Sequence, residues 1–397
     1  MTQIVIITLG TRGDVVPYAS LGAALAATGD RVRIATHESL RRHVLEAGLD
    51  FAALPVDLPA DEPLTASRLA RLLAARWLDL GQAIAAAARD ADLLLLAPMG
   101  WLGYHVAEAT GAASMGAFLQ PLEPTTAFPP PLVTTRSLGG WANLHTARAF
   151  RLLGQAPFAR PAAEFRRRLG LPPLTPAAMF RRMDRDRWPV LYGFSSHVVP
   201  APADWPAHRP MTGYWWPRPG AGLSPRLRDF LDAGEPPVFL GFGSMVAPGV
   251  PDVVEEALAR LGPRRIVVQR GAADLSTTRA DILVVGDEPH AELFPRVSVV
   301  VHHAGAGTTA AALRAGVPAV TVPFTADQPF WAHRVTDLRA GPAPVPLRRL
   351  SAGRLAEAIE AADAYRPGAA RVADRLAAED GLAAAVEQVR RLGRSVQ

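Results

Sequence analysis

Residues 300–320, VVHHAGAGTTAAALRAGVPAV, set two histidines at the end of an apolar run and follow them at once with glycines and hydroxyls. That composition suits an anion. A helix starting near Gly307 would aim free N–H groups and the positive end of its dipole at a bound ligand. Gly305 and Gly307 let backbone approach closely, Thr308 and Thr309 offer hydroxyls, and His303 offers a ring N–H. The plainer alternative is a tight turn with Thr308 capping the helix. Two neighbouring strand ends shift the balance towards a phosphate-bearing ligand: Ser244 in FGSM, and Asp327-Gln328 in VPFTADQPFWAHRV. An adjacent acid and amide can accept from and donate to vicinal hydroxyls, as a sugar demands, although Asp327 could equally be an N-cap.

Proton transfer needs a different group. The loop LGTRGDVVP, residues 9–17, is not a dinucleotide fingerprint, because Gly10 and Gly13 stand three apart and no ribose-binding acid follows. It does put Asp14 at the carboxyl end of the first strand. An ordinary aspartate, with a pKa near ~3.9, is a weak base for an alcohol; late proton transfer, or a raised pKa in a dry cleft, would make it serve. The alternative is that Asp14 caps the following helix. His105 and Glu108 share a helical face and form a second candidate pair, with a surface ion pair as the expected reading. Two D-x-D pairs occur, Asp90/Asp92 and Asp184/Asp186. The first opens a strand, at the wrong end of a sheet for a ligand; the second is flanked by Arg182, Arg185 and Arg187. No metal site and no cofactor are expected.

These residues must be held by strands and helices in alternation. Strands are expected over residues 3–9, 31–36, 92–97, 114–119 and 189–194, with helices over 17–28 and 38–47 closed by Gly29 and Gly48. Residues 196–219, dense in proline and tryptophan, read as a stiff linker with Trp215 and Trp216 as its buttresses. Alternation then resumes, with strands at 238–241, 265–269, 282–285, 297–301 and 319–322, helices at 252–261 and from about 308 and 328, and a largely helical end over 352–392. Such alternation implies βαβ units and parallel sheets. The chain's 397 residues fit two domains: 1–200, a linker at 201–220, a second domain at 221–375, and a terminal helix at 376–397 that could pack back on the first. With 49% hydrophobic and 20% charged residues, both have material for a core. There is no cysteine, which removes disulfides and thiolate chemistry. The net charge of +5 comes without a basic stripe interleaved with aromatics, and FRRMDRDRW, residues 180–188, reads as a solvated connector, so no nucleic-acid partner is expected. No signal peptide or bilayer-spanning run is seen, and a cytoplasmic enzyme is the default, as monomer or homodimer.

HAGAGTTAAALRAGVPAVTVPFTADQPFWAHRV, TLGTRGDVVPYASLG and PPVFLGFGSM together resemble the nucleotide-sugar glycosyltransferases of GT-B fold, in their bacterial natural-product branch, which includes glycopeptide glycosyltransferases. LYGFSSHVVPAPADWPAHRPMTGYW is similar to sterol-glucosyltransferase-like members. The resemblance implies an α/β protein of two Rossmann-like domains whose parallel sheets face each other across a cleft. It further implies that His303, Gly305, Gly307 and Thr308 hold the donor diphosphate, with Ser244 nearby, and that Asp327 and Gln328 bind sugar hydroxyls. Glu288 and His290, in GDEPHAELFPRV, would lie beside the nucleobase, and His302 would pack behind the site. Asp14 would be the base of an inverting displacement. By their own composition, the loops carrying Met99, Trp101, Phe118 and Phe128 suit a hydrophobic acceptor, though these side chains could instead be core or interdomain packing, and Thr11 and Arg12 could order their loop or contact the acceptor. UDP- and TDP-sugars remain equally open as co-substrate, as does C- against O-glycosylation. A sugar epimerase or hydrolase would need an acid–base set that is not found, and a non-catalytic helper would have no chemical reason to keep Asp14, His303, Thr308, Asp327 and Gln328 together.

Overall fold

Uninterrupted apolar runs such as QIVII, LLLL, VFLG and VVVH become strands buried on both faces, the situation of a parallel sheet covered by helices. The computed structural model describes all residues except 57–65, 219, 221, 244–248, 271–278 and 396–397. Its first sheet contains β1 (Gln3–Ile7), β2 (Arg31–His37), β3 (Asp50–Leu54), β4 (Leu93–Leu96), β5 (Ala113–Phe118) and β6 (Val190–Tyr192). Their order is β3-β2-β1-β4-β5-β6, with every pairing parallel. The second sheet contains β7 (Val238–Gly241), β8 (Ile266–Gln269), β9 (Ile282–Val285), β10 (Val299–His302) and β11 (Ala319–Thr321), in the parallel order β11-β10-β7-β8-β9. Strand order reverses direction at β1/β4 in one sheet and at β7/β10 in the other, and ligands of open α/β sheets bind outside the carboxyl ends at such points.

Several local readings change. The first helix runs Arg12–Ala26, so it begins five residues before Pro17, which lies inside it. Thr11 and Asp14 provide the start signal, a capping-box arrangement. Edge strand β3 was not foreseen; DFAAL is a short run with a charged start. The helix expected over 38–47 is a 3-10 turn, Glu38–Leu40, leading into helix Arg41–Glu46.

The proline-rich connection is packed along much of its length. Met211 bridges to Tyr192, and Trp205 stacks on Tyr192 with ring centroids 4.7 Å apart. Trp215 is buried against Tyr18, edge-on at 5.7 Å, and donates its N–H to Thr212. Trp216 lies beneath the Arg314 guanidinium. One apolar cluster joins the halves: Phe194 meets Trp331 at 6.2 Å and Phe128 meets Phe330 at 5.5 Å. The last helix, Gly381–Ser395, lies against helix Arg12–Ala26, with Ala385 and Val389 buried in the first sheet's core and Arg390 donating to the Thr28 carbonyl.

Candidate active site

Asp14 occupies the first turn of helix Arg12–Ala26, immediately beyond β1. Its Oδ2 accepts the Thr11 backbone N–H at 2.8 Å and the Thr11 hydroxyl at 3.0 Å, while its own carbonyl accepts the Thr8 hydroxyl. Capping therefore holds the carboxylate in place. Gly10, at φ +149°, leaves the space this requires: a Cβ there would stand 2.5 Å from Asp14 Oδ2. Two residues from other strand ends complete the setting. Buried His37, which closes β2, sets Nε2 against the Gly10 carbonyl at 2.5 Å and Nδ1 against the Ser39 hydroxyl at 2.8 Å. Gln120, just beyond β5, hydrogen-bonds the Asp14 side chain. Asp14 keeps partial access to solvent, yet burial raises its pKa, against the opposing pull of the Thr11, Gln120 and His37 interactions.

The facing loop follows β10. Ala304, fully buried, has φ +61°, a left-handed conformation that non-glycine residues seldom adopt. It turns the chain so that Gly305 becomes the N-cap of helix Ala306–Arg314, with no side chain closing the helix mouth. The cap is thus Gly305 and not Thr308, which lies within the first turn, half-exposed. Gly305 also makes room for a ring: a Cβ there would sit 2.6 Å from His303 Nε2, and one on Gly243 3.2 Å from His303 Cε1. His303 stacks on Phe324, its Nδ1 has no partner, and burial lowers its pKa to about 4, so the ring is neutral at pH 7. His302 is fully buried, and its Nδ1 accepts the Ala304 N–H at 3.1 Å, which puts it behind the loop. The Thr309 hydroxyl is enclosed and unpartnered, while Gly307 has open space around it.

Beyond β11, Ala326 is a second non-glycine residue at positive φ, +56°. Asp327 occupies the N-cap position of helix Gln328–Asp337 without capping it; its Oδ2 instead accepts the Trp331 indole N–H at 2.8 Å. Burial, then the nearby Asp14 charge, raise Asp327 to about 6 against the pull of that indole bond. Gln328 is buried, and its Oε1 accepts the Phe324 and Thr325 amides at 2.8 and 3.1 Å, bracing the loop. The loop after β9 meets the first domain through an ion pair between Asp287 and Arg12. In that loop the buried Glu288 carboxylate accepts the Ser224 N–H at 3.0 Å. His290 stacks on Phe294 at 4.4 Å; its Nε2 is buried without a partner, and burial, then the Arg12 charge, lower its pKa to about 4.

Residues 4–117 match the model of the glycosyltransferase family 28 N-terminal domain, and residues 254–392 that of the erythromycin biosynthesis protein CIII-like C-terminal domain. The chain is similar to the O-mycaminosyltylonolide 6-deoxyallosyltransferase of Streptomyces fradiae, 36% identical over 96% of this chain and 95% of that one. It belongs to the GT-B glycosyltransferases. A sterol 3-beta-glucosyltransferase of Arabidopsis thaliana is 31% identical over 97% of this chain, which spans 64% of that longer protein. The solved glycotransferase of kitacinnamycin matches at a TM-score of 0.77 and 21% identity, covering 98% of this chain and 99% of its own. The glycosyltransferase VinC in complex with DTDP matches at 0.70 and 20%, covering 99% of this chain and 100% of its own. These two likenesses carry the fold.

In this glycosyltransferase the structure brings Asp14, Asp327, His303, His290 and the Gly305 helix mouth to the facing strand ends. Ser244 lies outside the described residues. Thr11 and Arg12 are exposed at the cleft's first-domain lip, Arg12 already paired. Phe118 packs edge-on to Tyr192, and Phe128 spans Trp205 and Phe330. Met99 and Trp101 lie on the first domain's apolar cluster, Trp101 against Trp77, Phe158 and His105. Their packing gives each aromatic a structural role whatever else it meets. His105 and Glu108 are not a surface pair: His105 is buried, and Arg166, only 1% exposed, bonds both. Arg182 also holds Glu108, whose pKa falls to about 2 because the two guanidinium bonds overcome the cost of burial. Neither D-x-D pair is free. Asp90 pairs with Arg33 and Asp92 accepts the Gln3 N–H; Asp184 pairs with Arg151 and Arg209, Asp186 with Arg182 and Arg185. Sequence reasoning missed His37 and Gln120, and the only signal for either is its place just at or beyond a strand end.

Proposed function

We propose that this glycosyltransferase moves a sugar, with inversion, from a UDP- or TDP-sugar to a hydroxyl of a lipophilic small molecule, with Asp14 as the base. The observation that carries the reading is the opposition of Asp14, at the end of β1, to the Gly305 helix mouth and Asp327, beyond the ends of β10 and β11. The Asp14 charge contributes to the raised pKa of Asp327, which supports a reading in which the two carboxylates serve one site. The acceptor oxygen attacks the anomeric carbon as its proton passes to Asp14. The carbon–oxygen bond to the diphosphate breaks on the opposite face, and its electron pair leaves with the phosphate. Amides at the open mouth of helix Ala306–Arg314 and the neutral His303 ring would stabilise that departing charge. The carboxylate of Asp327 and the carboxamide of Gln328 would hold sugar hydroxyls, and His290 would lie towards the base. Glu288, occupied by Ser224, would act there by holding the loop.

The relatives support the substrate classes. One is a macrolide-type deoxyallosyltransferase by name, another a sterol glucosyltransferase, and a structural neighbour was solved with thymidine diphosphate. Phe118, Phe128, Met99 and Trp101 suit an apolar acceptor of either kind. The test is calorimetric titration with UDP and TDP on the wild type, His303→Ala and Asp14→Asn, alongside turnover of a TDP-sugar. Nucleotide binding should be lost with His303→Ala and kept with Asp14→Asn, while Asp14→Asn lowers kcat by about 10²–10⁴-fold, the usual worth of general-base catalysis. Undiminished turnover by Asp14→Asn would remove Asp14 as the base.

A further inference from the structure

One exposed apolar surface contains none of the residues assigned above to the site. Trp141 is 75% exposed and Leu153 71%, and Leu132, Val133, Leu138 and Leu152 stand beside them in sequence, all exposed. Among the described residues the large hydrophobics exposed outside 132–153 are only Met1 and Leu45. Trp141, His145, Arg148 and Leu152 recur at helical spacing along the outer face of helix Gly140–Leu153, whose inner face buries Asn143 and Ala147. Trp141 meets the His145 ring at a tilt, 4.3 Å between centroids, and no other ring among the described residues.

The charge pattern of this segment differs from that of the rest of the chain. Residues 124–163 contain no Asp or Glu, and they contain Arg136, Arg148, Arg151 and Arg160. Arg151 is occupied by Glu123 and Asp184. Arg136, Arg148 and Arg160 are exposed, and none of the ion pairs among the described residues involves them. Elsewhere in the chain the basic residues are nearly balanced, since the total is 42 basic against 37 acidic.

Projecting aliphatic and indole side chains, unpaired guanidinium groups and no acid are the features of a surface that rests on acidic lipid headgroups. Apolar side chains enter the headgroup–acyl boundary, tryptophan settles at that depth, and arginine meets the phosphates. Its arginines stand without any acid from 124 to 163, a one-signed surface suited to anionic headgroups. We propose that segment 132–138 and helix Gly140–Leu153 dock peripherally on an anionic bilayer. No helix among the described residues is long and apolar enough to cross one, so the contact is interfacial. The segment directly follows the 118–131 loop that carries Phe118 and Phe128, so docking would open the acceptor side to molecules dissolved in the bilayer. That last consequence rests on the acceptor reading above; the docking does not.

The test is co-sedimentation of the full chain with vesicles of equal parts phosphatidylcholine and phosphatidylglycerol, and with vesicles of phosphatidylcholine alone. The wild type should sediment with the first and remain in solution with the second, and added salt should release it. Trp141→Ser/Leu153→Ser and Arg136→Glu/Arg148→Glu should each weaken binding by about tenfold or more, with unchanged melting temperatures and unchanged transfer to a water-soluble acceptor. Absence of wild-type sedimentation, or equal sedimentation of all three proteins, overturns the proposal. Light scattering without lipid supplies the remaining outcome: a dimer that Trp141→Ser/Leu153→Ser converts to monomer makes this face a contact between copies and refutes lipid docking. A monomer that ignores anionic vesicles also refutes it, and leaves an acidic protein as the occupant. Failure of the Asp14 reading would show in turnover and leave vesicle binding unaltered, so the two are separable.

Discussion

Gly10→Ala is the sharpest probe of Asp14, because it moves the carboxylate without altering its chemistry. A Cβ on residue 10 would lie 2.5 Å from Asp14 Oδ2, 2.6 Å from its Cβ and 2.7 Å from its Cγ, where ordinary contact begins at 3.4 Å, so the whole side chain, carboxylate included, must retreat by about 0.9 Å. Misplacing a catalytic group by about 1 Å costs on the order of 10²-fold in rate, equivalent to about 2.7 kcal/mol in the barrier. The backbone resists as well, since φ +149° at residue 10 is strained for alanine, by about 1–3 kcal/mol. We expect kcat to fall about 10²-fold and the melting temperature to drop by a few degrees. TDP affinity should stay at the wild-type value, because the proposed donor loops follow strands of the second sheet. Initial rates, calorimetry and thermal melts measure the three quantities. Combining Gly10→Ala with Asp14→Asn adds the decisive control: if Gly10 acts through the carboxylate, its effect on kcat vanishes once that carboxylate is gone. A Gly10→Ala enzyme with kcat within twofold of wild type would refute the placement of Asp14 as base, and so would a rate loss that persists undiminished in the double variant.

Gly305→Ala puts a Cβ 2.6 Å from His303 Nε2, so TDP affinity should fall by about tenfold or more, the worth of one lost charge-assisted hydrogen bond, with little change in melting temperature; calorimetry would show it. Asp327 titrates at about 6 against an ordinary 3.8. The folded chain therefore holds more protons than the unfolded one between those values, and stability without nucleotide should decline as pH rises through that window. If the ionised carboxylate binds the sugar, kcat/KM for the donor should climb as pH passes about 6. Trp331→Phe removes the indole donor and should move that climb to higher pH; a pH–rate profile with an unmoved limb would count against the assignment. Glu108→Ala should cost about 3–5 kcal/mol in denaturant unfolding, because it strands the buried Arg166 charge. In the wild type the Glu108 contribution is complete above its ordinary value of 4.5 and is lost as pH falls through about 2, so acid melts should converge for wild type and variant.

What could be read in the sequence was what neighbouring residues decide among themselves. Strands β1, β4, β7, β8 and β10 are continuous apolar runs, and a run buried on both faces is legible without its partners. Edge strand β3 begins on a charge and has a less buried pattern, so no such run announces it. The start of the first helix was legible and was outweighed: Thr11 and Asp14 carry the capping signal, while Pro17 suggested a later start. Contacts between distant segments were silent. His105 and Glu108 look like a surface pair by spacing, because the arginine that buries them lies 58 residues beyond Glu108. His37 and Gln120 reach the Asp14 loop from other strands, and nothing in their local sequence points there.

The loop after β10 shows a subtler limit, in which its glycines are read for a reason the backbone does not share. Glycines at 305 and 307 suggest a backbone that needs conformational freedom, yet Gly305 sits at φ −61°, open to any residue. What it supplies is the absence of a Cβ, which admits the His303 ring. The left-handed turn falls on Ala304 instead, and a second one on Ala326 beside Asp327. Alanine in that conformation costs about 1–2 kcal/mol, and no local preference would select it. At Ala304 complete burial and the bond from its N–H to His302 hold the turn, so His302, which touches no proposed ligand group, acts by fixing the backbone that opens the helix mouth. The paired histidines thus differ in place: His302 sets the turn from behind, while His303 lies against Gly243 and Gly305 with an enclosed, unpartnered Nδ1.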